Sequence, residues 1–141
     1  MENVREFREK QSEEFNEFSE GNVFWLFGSK EEAIETLAKE GLTIEDVVAI
    51  GLGGYLRKSK IDEYKALRDK QRIERHDFII NNLYDSLIYY LWDYEIEISL
   101  SYTYEDVPKI LLELTDEEIE ANQEVINKAF RDYKKEFYEL N

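Results

Sequence analysis

Residues 78–91 restrict the fold of this chain more than any other segment. Drawn as a helix, the segment carries apolar side chains in almost every direction. A helix that is hydrophobic all round must be covered on all sides by other elements. The segment therefore predicts a buried central helix, with a break just before it near His76 and Asp77. The apolar residues are Phe78, Ile79, Ile80, Leu83, Tyr84, Leu87, Ile88 and Leu91.

Helix start signals recur along the rest of the chain. Ser29 with Glu32, and Thr115 with Glu118, have the spacing of a capping box, in which two side chains satisfy the first free N–H groups of a helix. Further helices are predicted at the N-terminus (within 1–20, clearest over 3–19), over 30–40, from Ser59 onward, over 104–114 and over 116–139 at the C-terminus.

Short apolar runs separate these helices and predict strands. Residues 22–27 are too few for a helix and are predicted to form a buried strand, and residues 47–50 are predicted to form a second strand. Residues 55–57 continue the second run or pair with it as a hairpin across the glycine cluster 51–54. Residues 94–100 alternate strictly between apolar and polar, as in a half-buried strand. The pattern predicts one α+β domain over residues 1–141, with five or six helices around a small, mainly antiparallel sheet of three or four strands.

The residue types present exclude several kinds of site. The chain has no cysteine, so disulfides and thiolate sites are excluded, and its one histidine excludes a site built from several histidines. His76 lies among charged residues and is expected to be a solvated helix residue. No cofactor or metal is predicted. With no long apolar run and no signal-peptide pattern at the N-terminus, we expect a cytoplasmic protein without a membrane partner.

The charge of the chain is strongly negative and uneven. There are 33 acidic and 18 basic residues, a net charge of −15, and residues 95–141 contribute −8 of it. Residues 57–75 carry eight bases and four acids. This balance argues against direct binding to nucleic acid, whose affinity depends on Lys and Arg. It favours a basic protein surface as partner.

The acidic run over 113–124 is the candidate partner-binding surface. Acids in the first turn of a helix also stabilise it through the helix dipole, which explains part of the run without any function. The dipole does not explain an excess of this size, which suits either a generic solvated acidic face or a recognition surface. The predicted binding residues are Glu113, Asp116, Glu117, Glu118, Glu120 and Glu124, supported by Glu95 and Glu97.

Three other features of the sequence are candidate sites. The glycine cluster 51–54 follows a predicted strand, but it lacks the third glycine of a dinucleotide fingerprint, and Arg57 replaces a glycine that a P-loop needs. Its hairpin interpretation is favoured. Asp93, Glu95 and Glu97 have a spacing that suits a divalent cation or an acid–base pair, but the polar face of an antiparallel strand is the favoured explanation. Tyr89, Tyr90 and Trp92 cannot all face inward on one helix, so some of these rings are expected to be exposed or to contact a partner.

Three segments, within about residues 23–112, carry a resemblance to a family. They are the aromatic run Phe24–Phe27 before a short amphipathic helix, Ile50–Ser59 with its Gly-Gly-Tyr-Leu-Arg-Lys sequence, and Tyr89–Glu95. The chain resembles small acidic proteins of unknown function encoded by phages and other mobile elements. Trp92 and Asp93 stand where that family is expected to have asparagine before its Tyr-Glu pair. The resemblance brings no catalytic residues, and it implies a phage or mobile-element origin.

The function expected from these features is inhibition of a host protein. Small acidic phage proteins of this kind often resemble inhibitors of nucleic-acid enzymes, including anti-CRISPR and anti-restriction proteins. An array of carboxylates suits a Lys- and Arg-lined nucleic-acid channel. The alternative is a self-associating structural or regulatory phage protein, a homodimer for example, in which 57–75 of one copy meets 113–124 of another. The third class is a small metal-dependent or phosphate-binding enzyme that would use Glu95, Glu97 and the glycine cluster. It is disfavoured because no nucleophile or base has a visible partner, and no catalytic residue is predicted.

Overall fold

The computed structural model describes residues 3–93 and 106–140 of the chain. Within these ranges it contains six α-helices, one π-helical segment and a three-stranded antiparallel sheet, which confirms the predicted α+β class. The helices are α1 (Val4–Ser19), α2 (Lys30–Lys39), α3 (Ile61–Asn81), α4 (Leu83–Asp93), α5 (Asp116–Ala121) and α6 (Gln123–Leu140). The strands are β1 (Val23–Trp25), β2 (Val47–Gly51) and β3 (Gly54–Arg57), and the π-helical segment is Val107–Leu111.

The chain divides into two compact units. The sheet unit comprises Arg8–Gln71, and the helical unit comprises Met1–Phe7 together with Arg72–Asn141. The sheet unit carries 14 acidic and 10 basic residues, a net charge of −4. The helical unit carries 19 acidic and 8 basic residues, a net charge of −11. Most of the negative charge therefore belongs to the helical unit.

A β-hairpin organises the sheet unit. Strands β2 and β3 pair antiparallel and β1 joins the other edge of β3, giving the order β1-β3-β2. The turn consists of Leu52 and Gly53, whose φ angles are 53° and 82°. Positive φ at both central residues is the mark of a type I′ turn, whose twist matches that of the strands. The hairpin interpretation of the glycine cluster is confirmed.

The helices of the sheet unit pack through aromatic rings and paired amides. Phe15 and Phe18 of α1 contact the ring of Tyr64 in α3, with centroids 6.5 and 6.3 Å apart. Gln11 Nε2 donates to Gln71 O, and Gln71 Nε2 donates to Gln11 O, each at 2.9 Å. This reciprocal pair fixes α1 beside α3 in this unit. Its buried apolar residues are Val23, Leu37, Val47 and Leu56.

The core of the helical unit surrounds α4, as the sequence predicts. Helix α4 packs mainly along α6, where the ring of Trp92 meets Tyr133 edge-on at 4.8 Å. Tyr90 is buried, and Tyr89 and Trp92 are half-buried against the core. None of the three rings is fully exposed, and a contact of these rings with a partner stays a prediction. Fully buried members of this core are Leu87, Leu91, Val107, Leu112, Ile126, Ala129 and Tyr133.

Several element boundaries differ from the prediction. His76 and Asp77 lie inside an unbroken α3, and the break comes at Asn82, whose Nδ2 donates to Phe78 O at 2.9 Å. The segment predicted as an α-helix over 104–114 contains a π-helix, in which the Leu112 N–H donates to Val107 O. The predicted C-terminal helix 116–139 is divided at Asn122. The predicted strand 94–100 lies outside the described residues.

The first predicted strand is shorter and less buried than expected. Of residues 22–27, only Val23–Trp25 form β1, and the Leu26 N–H still donates to Gly53 O at 2.9 Å. Val23 is buried, but Trp25 and Phe27 are exposed. The prediction of a buried strand is wrong for these two aromatic residues.

Within the described ranges, no helix combines the length and the apolar character that crossing a bilayer requires.

Candidate protein-binding surface

The acidic run is held by the capping box that the sequence predicts at the start of α5. Thr115 Oγ1 accepts a hydrogen bond from the Glu118 N–H at 3.1 Å, and Glu118 Oε1 accepts one from the Thr115 N–H at 3.0 Å. Two N–H groups that a helix start leaves unpaired are satisfied by this exchange. The local sequence thus fixes where α5 begins and which way its carboxylates point.

Glu118 has a second partner on α3. His76 Nε2 lies 2.7 Å from Glu118 Oε2, so the carboxylate bridges the helix start and α3. The pKa of Glu118 is lowered, chiefly by the hydrogen bond from the Thr115 backbone; burial opposes this, and the contact with His76 adds to it. The Glu118 side chain is only 25% exposed. Its role is to position α5, and it offers little carboxylate surface to a partner.

Two further acids of the run are paired inside the unit. Glu113 Oε2 lies 3.5 Å from Arg75 Nη1, while Arg75 Nη2 donates to Leu111 O at 2.6 Å. Asp116 Oδ1 lies 3.4 Å from Lys109 Nζ on the surface. Exposed ion pairs are weak, so the Asp116 pair contributes little to stability, but Lys109 offsets the charge of Asp116 at that point.

The remaining three acids have no partner among the described residues. Glu117, Glu120 and Glu124 are exposed and make no hydrogen bond or ion pair with any residue in the described part of the chain. We call these three residues the acidic face.

The helical path places the acidic face on one side. Backbone hydrogen bonds from Asn122 N to Glu118 O and from Ile126 N to Asn122 O continue the i to i−4 pattern through the division between α5 and α6. Residues at i, i+3 and i+7 of such a path are neighbours. Buried Ile126 lies on the opposite side, against the core.

No base lies between residues 114 and 127 to offset the acidic face. The first base after it is Lys128, which lies 3.1 Å from Asp132 Oδ2 and 4.3 Å from the centre of the Tyr84 ring. Lys128 therefore interacts with Asp132 and Tyr84. The acidic face therefore presents uncompensated negative charge to solvent.

The remaining carboxylates that the sequence singles out are Asp93, Glu95 and Glu97. Glu95 and Glu97 lie outside the described residues, so their position relative to the acidic face stays a prediction. Asp93 ends α4 and is exposed. Among the described residues, no group of three or more His, Asp or Glu side chains is arranged to hold a metal ion.

His76 and Arg75 are the residues that the sequence interpretation missed. His76 was expected to be solvated, and its side chain is 42% exposed, yet it contacts Glu118. Both residues lie about 40 positions before their partners, and nothing local marks the pairing. The one available signal was charge, because residues 57–75 were noted as a possible partner for 113–124; Arg75 realises that pairing within a single chain.

Comparison with known proteins gives a family and no function. A family described as a family of unknown function, DUF7659, matches residues 3–136. Because the match covers nearly the whole chain, the protein belongs to this family. No curated protein and no solved structure gives a significant match.

Proposed function

We propose that this member of the DUF7659 family is a non-enzymatic inhibitor encoded by a phage or another mobile element. It acts in the host cytoplasm on a nucleic-acid-binding defence protein, of the kind that anti-CRISPR or anti-restriction proteins block. The observation that carries the proposal is the acidic face, three exposed carboxylates without a partner among the described residues. The origin rests on the resemblance of Ile50–Ser59 and Tyr89–Glu95 to phage-encoded acidic proteins.

The spacing of the acidic face suits a channel built for a nucleic-acid strand. Seven residues separate Glu117 from Glu124, which is about 10 Å along a helix, so the three charges recur about every 5 Å. One strand of duplex DNA carries a phosphate about every 3.4 Å. The spacing of the carboxylates and the spacing of the phosphates agree within a factor of two. A row of Lys and Arg side chains that binds one strand can therefore also bind this face.

The surroundings of the acidic face make binding specific to a basic surface. The helical unit carries a net charge of −11, which repels nucleic acid and acidic proteins and attracts basic ones. Charge complementarity of this kind mainly speeds association and selects the partner. We therefore expect the complex to weaken strongly with salt.

The geometry narrows the binding residues within the acidic run. Glu117, Glu120 and Glu124 contact the partner directly in this proposal. Glu118 acts as a positioning residue through Thr115 and His76. The other predicted acids contribute to the surrounding field: Glu113, Asp116, Glu95 and Glu97.

The rival proposal is self-association through opposite charges on two copies. It requires bases of 57–75 and acids of 113–124 to be available to another chain. Arg75 is occupied by Leu111 and Glu113, and Glu118 is occupied by His76. Both contacts reduce the charge left for a second copy, so the inhibitor proposal is preferred.

The test is capture of a partner at low salt by three forms of the tagged chain. The first is wild type and the second carries Glu117→Lys, Glu120→Lys and Glu124→Lys. The third, a matched control, carries Glu13→Lys, Glu17→Lys and Glu20→Lys. Glu13 and Glu17 lie on α1 and Glu20 directly follows it, and all three acids are exposed and spaced i, i+4, i+7. Both triple variants change the net charge equally, so only the location differs. The lysate comes from the bacterial host.

The proposal predicts that wild type and the α1 control retain one nucleic-acid-binding protein that elutes with moderate salt. The acidic-face variant should lose at least roughly tenfold in affinity, because attraction is replaced by repulsion at three positions. Equal retention by all three forms would contradict the assignment of this surface. Recovery of the bait alone, together with a dimer by sedimentation that weakens in salt, would support self-association instead.

A further inference from the structure

Three large apolar side chains are exposed together around the hairpin turn of the sheet unit. The exposed fractions are 95% for Leu52, 70% for Phe27 and 52% for Trp25. We call these three residues the hairpin tip. Single exposed apolar residues are ordinary on a protein surface, whereas a cluster of large ones marks an interaction site.

The backbone of the turn holds the hairpin tip in place. The ring of Phe27 occupies the space that a Cβ on Gly53 would need, and Trp25 Cζ3 would lie 2.8 Å from a Cβ on Gly54. The two rings therefore rest directly on the two glycines. The Leu26 N–H, between the two aromatic residues, donates to Gly53 O at 2.9 Å. The tip is thus shaped before any partner arrives.

Leucine at position 52 is not explained by the turn itself. The first central residue of a type I′ turn has positive φ, and Asn, Asp and Gly are the residues that adopt it readily. Leu52 has a φ of 53° and its side chain packs on almost nothing. Leucine is neither a residue that favours a positive φ nor one that favours exposure to water. Its presence at this position therefore indicates a role in binding another molecule.

We propose that the hairpin tip inserts into an apolar pocket of a partner protein, and that the rim of this pocket is basic. The charge argument comes from α2, which starts three residues after Phe27. Glu31, Glu32 and Glu35 of α2 are exposed, and the Glu32 carboxylate fills the space beside Gly28. Glu32 therefore places a carboxylate beside the apolar tip, and α2 carries three acids against two bases, Lys30 and Lys39, so Lys or Arg at the rim of the pocket would complement it.

A second copy of the chain and a lipid surface fit the tip less well. Two identical convex tips cannot enclose each other, and each copy carries a net charge of −15. Three side chains also fall short of the roughly 800 Å² per partner of a stable interface, so the tip suits an anchor in a pocket. An anionic membrane repels a chain of this charge. The test below distinguishes self-association and membrane binding from binding to a partner protein.

The test uses the full chain with a photoreactive benzophenone side chain at position 52 or, as control, at position 73. Ile73 is 55% exposed on α3 and belongs to the other unit. Two variants accompany it, Leu52→Asn and Ile73→Gln. Asn suits the positive φ at position 52 and Gln suits a helix, so both variants are expected to fold. Host lysate is irradiated, and the cross-linked protein is then purified for affinity measurements.

The proposal predicts that position 52, and not 73, cross-links one protein, and that the adduct lies in an apolar pocket ringed by Lys or Arg. Affinity for this purified protein should fall roughly tenfold with Leu52→Asn, as for an interface anchor, and stay nearly unchanged with Ile73→Gln. Unchanged affinity with Leu52→Asn would overturn the proposal. So would adducts that join only two copies of this chain, or binding of the tip to vesicles of neutral lipid in place of a protein.

This inference is independent of the proposed function. The triple variant of the acidic face leaves the hairpin tip intact. If it abolishes partner capture while the position 52 adduct persists, the two surfaces serve different partners. If it has no effect and the adduct persists, only the proposed function fails.

Discussion

His76 Nε2 lies 2.7 Å from Glu118 Oε2, and the other oxygen of the same carboxylate accepts from the Thr115 N–H. One side chain thereby joins the middle of α3 to the first turn of α5. Since the acidic face begins at Glu117, one residue before this junction, the direction in which its carboxylates point depends on Glu118. A substitution at Glu118 should therefore affect mainly stability, and one at Glu117 mainly binding.

Removing the cap should destabilise the helical unit without a change of surface charge. Thr115→Ala is expected to lower the free energy of unfolding by about 1 kcal/mol, because the Glu118 N–H loses its acceptor. The measurement is denaturation by urea. The control is Glu117→Gln, an exposed position, with an expected change within about 0.5 kcal/mol. Equal losses for both variants would show that the capping box does not support α5.

The contribution of Glu118 should depend on pH. Its pKa in the folded chain is lowered, first by the hydrogen bond from Thr115. A lowered pKa means that the stabilisation is complete above the unfolded value of about 4.3 and is lost as pH falls through the folded value. The difference in unfolding free energy between wild type and Glu118→Gln should therefore be largest near neutral pH and shrink below about pH 4. A difference that stays constant across this range would contradict the assignment.

Arg75 should matter more than other bases of the helical unit. Its guanidinium donates to Leu111 O at 2.6 Å, lies 3.5 Å from Glu113 and sits 5.8 Å from the centre of the Tyr90 ring. Arg75→Met is expected to cost about 1.5–3 kcal/mol of unfolding free energy, the range for a hydrogen bond to a charged group.

Two further variants check this explanation of Arg75. Arg75→Lys should recover little of the loss, since lysine lacks the planar fork that reaches two acceptors. Lys135→Met, at an exposed position of α6, is the control. The explanation fails if Lys135→Met costs as much as Arg75→Met under the same denaturation conditions.

Two glycine substitutions can separate the cost of a positive φ from the cost of a steric clash with the Phe27 ring. Gly53 and Gly21 both have positive φ, at 82° and 72°, but only a Cβ on Gly53 would meet the Phe27 ring. Gly21→Ala should cost about 1 kcal/mol from the backbone alone. Gly53→Ala should cost more, and the excess should disappear when Phe27→Ala is added. An excess that survives the removal of Phe27 would mean that the ring does not rest on the turn.

The sequence predicted the features that depend on neighbouring residues. The hairpin followed from glycines between two apolar runs, because positive φ is a local requirement. The N-cap at Ser29, without the reciprocal bond of a full capping box, and the capping box at Thr115 followed from a three-residue spacing. The buried character of α4 followed from its all-round apolar pattern.

Features that depend on distant residues were not predictable in this way. The contacts of His76 with Glu118 and of Arg75 with Glu113 join positions that only the fold brings together. The polar residues around His76 were interpreted as a break, although a solvent-facing stretch of a continuous helix has the same composition. Exposure of Trp25 and Phe27 was missed because an apolar run indicates burial unless the neighbouring elements leave it uncovered.

The central claim is that the acidic face competes with nucleic acid for one basic surface. The most direct measurement is displacement of labelled DNA or RNA from the captured partner by wild type, the acidic-face triple variant and the α1 control. We expect wild type and the control to displace the nucleic acid equally, and the acidic-face variant to need at least roughly tenfold more protein. A ternary complex, in which the partner holds wild-type chain and nucleic acid together, would contradict the claim.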